Sequence, residues 1–144
     1  MNLFGMLEVS GSALAAERWR AEVVSANMAN AETTSTPQGG AYRRQLVVFR
    51  ARSLPRFPML LASMRHAPQE GVHVDGVVAD ATPLPRRYEP GHPDADSSGY
   101  VTYPNVNPVM EMTDLLSAVR AYQLNAAAVQ AAKSMIQQSL QILS

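Results

Sequence analysis

His92, Asp94 and Asp96 stand within five residues of one another, and a second group lies at His73, Asp75 and Asp80. Neutral imidazole and ionised carboxylate are the ligands a divalent metal such as zinc takes. The alternation of Asp94 and Asp96 also echoes part of a calcium-binding loop. Both readings fall short. No glutamate follows at the spacing an EF-hand requires, and neither an HExxH nor a Walker-type motif is present. Proline and aspartate together in a loop are commonly turn-formers, and Pro90 and Pro93 flank these residues. The chain has no cysteine, which excludes disulfides, thiolate nucleophiles and Cys-based zinc sites. The expectation is a protein without catalytic residues, cofactor or metal.

Composition narrows the classes further. The 144 residues amount to one domain, and an apolar fraction of 47% is ordinary for a folded protein. Twelve basic and twelve acidic residues cancel to a net charge of zero. This argues against a nucleic-acid binder, which carries a basic excess, and against a surface built for anionic membranes. No apolar run reaches the roughly 18–20 residues of a membrane span. The first residues lack the basic and apolar regions of a secretory signal, so work outside the cytoplasm would need another export route.

The residues divide into an N-terminal segment (1–32), a middle module (33–107) and a C-terminal segment (108–144). From Leu3 to Ala31 the chain is rich in alanine, leucine, methionine and glutamate and free of proline, which predicts a helix. Leu7, Leu14, Ala21 and Met28 recur every seven residues along it. The middle module holds nine of the ten prolines and six of the eight glycines, so long helices are excluded there. Arg44 to Phe49, Val72 to Ala79 and Tyr100 to Tyr103 read as short strands. Leu54 to Pro68, apolar and broken by proline, reads as a loop or insertion.

The C-terminal segment has the clearest pattern. Asn107 is a good N-cap and Pro108 suits the first helical position. Glu111 and Asp114 favour the helix dipole near its start. Leu115, Tyr122, Val129, Ile136 and Leu143 repeat every seven residues, and Met112, Val119, Ala126, Lys133 and Leu140 precede them by three. That is an a/d seam, interrupted once by a charge at Lys133. The predicted fold is α+β, with long terminal helices packing as a coiled-coil-like unit around a small, irregular β-rich insert.

A helix of this length overhangs a module of such size. Pairing of the two terminal helices accounts for part of its apolar surface. Beyond Arg120 the only charged side chain is Lys133, and the outward positions hold glutamine, serine and alanine. A solvated coiled-coil face carries Glu and Lys pairs instead. Intersubunit packing is therefore expected. The competing expectation, a soluble coiled-coil adaptor or export chaperone, predicts a discrete cytoplasmic oligomer.

Three blocks carry a family resemblance. They are Ser25-Ala26-Asn27-Met28-Ala29-Asn30-Ala31-Glu32-Thr33-Thr34; Gly39-Gly40-Ala41-Tyr42-Arg43-Arg44 with Val47-Val48-Phe49; and Tyr88 to Asp96 continuing through Gly99-Tyr100-Val101 to Tyr103-Pro104-Asn105-Val106-Asn107. Arg120-Ala121-Tyr122, Asn125 and Ala132-Lys133-Ser134-Met135 fit the same pattern. The chain resembles the flagellar basal-body rod family, and the His-Pro-Asp-Ala-Asp and Tyr-Pro-Asn-Val-Asn blocks point to its proximal-rod members. Ala41 stands where that pattern usually has proline. The resemblance implies a periplasmic axial protein, exported through the flagellar type III apparatus without a cleavable signal. It would pack against other rod proteins and copies of itself into a hollow, torque-transmitting shaft. The Asn27 to Thr34 signature would be the junction that terminates the first helix. The candidate assembly interface comprises Leu7, Leu14, Asn27, Met28 and Asn30 at one end of the chain. At the other it comprises Met112, Leu115, Val119, Tyr122, Val129, Ile136, Leu140 and Leu143.

Overall fold

The computed structural model describes residues 3–51 and 71–142. Two long helices, α1 (Leu3–Ala29) and α2 (Pro108–Ile142), lie side by side. Between them in sequence come four strands: β1 (Gln45–Ala51), β2 (Val72–Ala79), β3 (Arg86–Tyr88) and β4 (Tyr100–Thr102). The α+β fold expected from the sequence is the one observed. The segment Leu54 to Pro68 falls outside the described residues.

Helix α1 runs 27 residues without proline and stops where asparagine and threonine take over its last carbonyls. The Asn30 amide N–H donates to the Ala26 carbonyl at 3.1 Å, and the Asn30 side-chain amide donates to the same oxygen at 2.9 Å. Thr33 Oγ1 then donates to Asn30 Oδ1 at 3.2 Å. Side chains of these types satisfy the orphan groups of a helix end. Helix α2 starts as its sequence predicts. Asn107 Oδ1 accepts from the backbone N–H of Val109 at 3.0 Å, with Pro108 in the first turn. Thirty-five residues at 1.5 Å each make a rod of about 52 Å.

Strands β1 and β2 form an antiparallel ribbon packed on α1. Gln45 pairs with Ala79 and Val48 with Gly76, but Phe49 pairs with Val74. Asp75 is thus the extra residue of a β-bulge, which bends the ribbon and increases its twist. Strands β3 and β4 form a second, three-residue antiparallel pair, Tyr88 opposite Tyr100. The sequence pattern did not predict β3. Arg86-Arg87-Tyr88, hemmed by Pro85 and Pro90, has no β-branched residue and no apolar alternation. It is held by Arg86 over the Tyr100 ring, Arg87 over the Tyr103 ring at 4.7 Å, and an edge contact between Tyr88 and Tyr100 at 5.3 Å.

Little of the molecule is deeply buried. The apolar core among the described residues consists of Ala16, Val23, Val24, Val101, Ala118 and Ala132. On α2 the buried positions are Glu111, Ala118 and Ala132, with Asn125 half-buried on the same seven-residue line. This line is one residue earlier than the Met112, Val119, Ala126, Lys133, Leu140 set. The buried positions of α2 are therefore small or polar, while those of α1 are Gly5, Ser10, Ala16, Val23, Val24 and Asn27.

Candidate assembly surface

A polar knot fixes how the insert sits on the helices. Asn27 is buried, and its side-chain amide uses its full capacity. The nitrogen donates to the Gln45 carbonyl at 2.9 Å and to Glu111 at 3.0 Å. The oxygen accepts from the Gln45 N–H and from the Tyr42 hydroxyl, each at 2.9 Å. Glu111, 0% exposed, takes a charge-assisted bond from Arg44 Nε at 2.5 Å. The same guanidinium reaches Asp114 at 3.2 Å and lies 3.9 Å from Asp80. Burial, and then the Glu111 carboxylate, push the Tyr42 hydroxyl above its usual pKa. Asp80 is held below the carboxylate range chiefly by hydrogen bonds from Thr82, with Arg44 and Arg43 adding to it. Three elements meet here: the end of α1, the start of β1 and the start of α2.

The residues weighed as metal ligands are engaged otherwise. His92 Nδ1 accepts from the Asp94 N–H at 3.1 Å, and Asp94 accepts from Thr34 at 2.6 Å. Asp96 Oδ1 caps the β3–β4 turn, taking the Ser98 and Tyr100 N–H groups at 2.8 and 2.9 Å, while its other oxygen meets Arg86. These bonds, the Tyr100 N–H first, hold Asp96 below the usual carboxylate pKa. Asp75 pairs with Arg50 at 2.7 Å. Their geometry is that of turn-formers and ribbon pairs.

Many large apolar side chains of α2 point away from the rest of the subunit. Val109 is 74% exposed, Leu124 72% and Leu140 62%. Met110, Met112, Leu116, Val119, Tyr122 and Met135 are also exposed. Of the predicted interface on this helix, Met112, Val119, Tyr122 and Leu140 lie on this outer surface, and Leu115, Val129 and Ile136 are half-buried along its edge. Leu143 lies outside the described residues. On α1, Leu7, Leu14, Met28 and Asn30 are half-buried, whereas Asn27 is committed to the internal knot. Val109, Met110, Leu116 and Leu124 belong to the exposed surface although the seven-residue pattern did not single them out. Counting all large apolar positions on α2, without forcing them into one seam, would have found them.

A surface of this kind is a candidate for burial against another chain. Each large side chain withdrawn from water is worth about 1.5–3 kcal/mol, and contiguous exposed apolar patches mark interaction sites. No described helix is long and apolar enough to cross a membrane.

Comparison with known proteins agrees at both ends of the chain. Residues 7–35 match the family described as "Flagella basal body rod protein". Residues 97–142 match "Flagellar basal body rod FlgEFG protein C-terminal". The chain is 40% identical to the flagellar basal-body rod protein FlgC of Borreliella burgdorferi, over 99% of both chains. It is 38% identical to the FlgC protein of Bacillus subtilis over 99% of both, and 38% identical to that of Salmonella typhimurium over 97% of both. The chain belongs to the FlgC family of flagellar basal-body rod proteins.

Proposed function

We infer that the chain is a structural subunit of the flagellar basal-body rod, joined to neighbouring rod subunits through the outer face of α2. The observation that carries this reading is the inverted distribution of side chains on that helix. Glu111, Ala118 and Ala132 face inward while Leu116, Leu124 and Leu140 face water. An isolated hairpin would gain by the opposite arrangement. An assembly gains by this one, because small inner residues let two helices approach closely and large outer ones are left to bury against neighbours.

The finer statements belong to the same reading. The subunit sits in the proximal rod, its helices pack with copies of itself and with other rod proteins, and the resulting shaft is hollow and transmits torque. It reaches the periplasm through the flagellar type III apparatus. Its role is structural, without catalysis, nucleic acid or a membrane span of its own. The polar knot supports this, since its carboxylates and guanidinium are spent on one another and on backbone groups.

Mass spectrometry of detergent-extracted hook–basal bodies from the source bacterium tests the proposal. Enrichment of this chain with other rod and ring proteins is the expected result. A chain confined to the cytosol as a discrete oligomer would overturn it in favour of an adaptor or export chaperone.

A further inference from the structure

If the outer face of α2 is covered in a rod, which is the reading this step rests on, its two exposed cations, Arg120 and Lys133, need partners. Lys133 is the only lysine of the chain and the only charged residue beyond Arg120. It is exposed, on a line with Val119, Ala126 and Leu140, and its helical neighbours Val129, Gln130, Ile136 and Gln137 carry no charge. Among the described residues it makes no ion pair. An ammonium enclosed by such a surface without an anion would oppose assembly.

The complementary group is on α1. Glu17 Oε2 is closed off from solvent and accepts no hydrogen bond, the single side-chain atom among the described residues in that state. Its nearest cation, Arg20 Nη1, is 3.7 Å away, and the other terminal nitrogen of Arg20 is turned to Asp114 at 3.5 Å. The Glu17 side chain keeps 18% exposure. It lines a groove of about 390 Å³ between the helices, shared with Arg18, Ala21, Ala118, Val119 and Tyr122. Arg18 is engaged by Glu22 at 2.9 Å. Ala21, Ala118, Val119 and Tyr122 suit the methylene stem of a lysine, whose ammonium would meet the Glu17 carboxylate on its partly exposed side.

We propose that the Glu17 groove of one subunit receives Lys133 of a second copy. Within one hairpin the contact is out of reach. Glu17 lies level with Val119, and Lys133 is fourteen residues further on, about 21 Å along α2. Between copies with parallel axes the contact sets an axial displacement of that same order. Donor and acceptor are different patches, so each subunit gives Lys133 to one neighbour and receives it from another. Such heterologous contacts build an open-ended series, not a closed dimer.

The cysteine-free chain makes the test clean. Cells carrying Glu17→Cys/Lys133→Cys in place of the native copy are oxidised mildly, and their basal bodies are purified. Multimers of the chain that vanish on reduction, and are missing from either single-cysteine variant, are expected. Normal incorporation without multimers overturns the proposal, as does a crosslink that forms only with Glu17→Cys/Arg120→Cys. Absence of the unmodified chain from basal bodies overturns the rod reading instead. Should the double-cysteine chain fail to incorporate, charge reversal decides. Glu17→Lys and Lys133→Glu should each cut swimming about tenfold, and their combination should recover most of it. A double variant as impaired as the worse single one overturns the pairing.

Discussion

The side-chain amide of Asn27, near the end of α1, donates to the Glu111 carboxylate in the first turn of α2 at 3.0 Å, and Glu111 has no exposed surface. The two helices are thus tied by polar contacts at one end, this one and Arg20 to Asp114 at 3.5 Å, and elsewhere the buried residues of α2 are alanines. Sliding one helix past the other would break the Asn27–Glu111 bond and pull the insert between them, since Gln45 is bonded to Asn27 and Arg44 to Glu111. Small side chains alone would tolerate such a slip.

Asn27→Ala should therefore cost more than its size suggests. It leaves the Gln45 N–H and C=O and one Glu111 oxygen without bonds, a loss of about 3 kcal/mol. Urea unfolding of the purified subunit measures it. A change under about 0.5 kcal/mol would be that of an ordinary surface position and would show that the knot is not needed.

Removing the guanidinium should be equally severe. Arg44→Met strips the charge partner from fully buried Glu111 and is expected to cost about 3–5 kcal/mol. Arg44→Met combined with Glu111→Leu should regain part of that loss, because no orphan charge is left. Thermal melts of the three variants give the comparison.

Leu124→Asp separates subunit from assembly. The position is 72% exposed, so the free subunit should keep its stability within about 0.5 kcal/mol, while incorporation into basal bodies is lost. Val129→Asp is a less clean probe, since Val129 is half-buried beside α1 and would weaken the hairpin as well.

The β3–β4 turn should respond to acid through Asp96. Its folded pKa lies below the unfolded value because ionised Oδ1 accepts the Tyr100 and Ser98 N–H groups. Its contribution is complete above the ordinary aspartate pKa of about 3.9 and is lost as pH falls through the depressed folded value. The protection factors of the Tyr100 and Ser98 amides, taken relative to intrinsic exchange at each pH, should fall in that window and hold between pH 5 and 8. Protection that already declines near neutrality would contradict this assignment.

Gly99→Ala tests the same turn from the backbone side. Gly99 has φ of +80°, and an added Cβ would lie 2.8 Å from the Tyr88 ring. The left-handed conformation alone costs about 1–2 kcal/mol for a residue with a side chain. The expected result in NMR spectra is a disturbance confined to β3, β4 and their turn, with α1 and α2 unchanged.

Much of the architecture was legible because it depends on local chemistry. Proline-free, alanine-rich ends gave α1 and α2, Asn107-Pro108 marked the start of α2, and β-branched runs marked β1 and β2. The phase of the α2 seam was harder. Alanine is acceptable on either side of a helix, so Ala118 and Ala132 left no mark against Val119 and Lys133 one residue later. Glu111 read as a dipole-compatible charge, and its burial depends on Arg44 and Asn27, 67 and 84 residues away. Strand β3 has no propensity signal, since cation–π and ring contacts hold it. Partners distant in sequence carry no local signature.

The small-residue seam between α1 and α2 has a mechanical corollary. Alanine, glycine and serine bury little apolar area, so the hairpin rests largely on the knot of Asn27, Arg44 and Glu111 at one end. In the proposed shaft, resistance to twist would then rest on contacts between chains as well as on that knot. The melting temperature of a lone subunit would then gauge only the share of that resistance that the hairpin supplies.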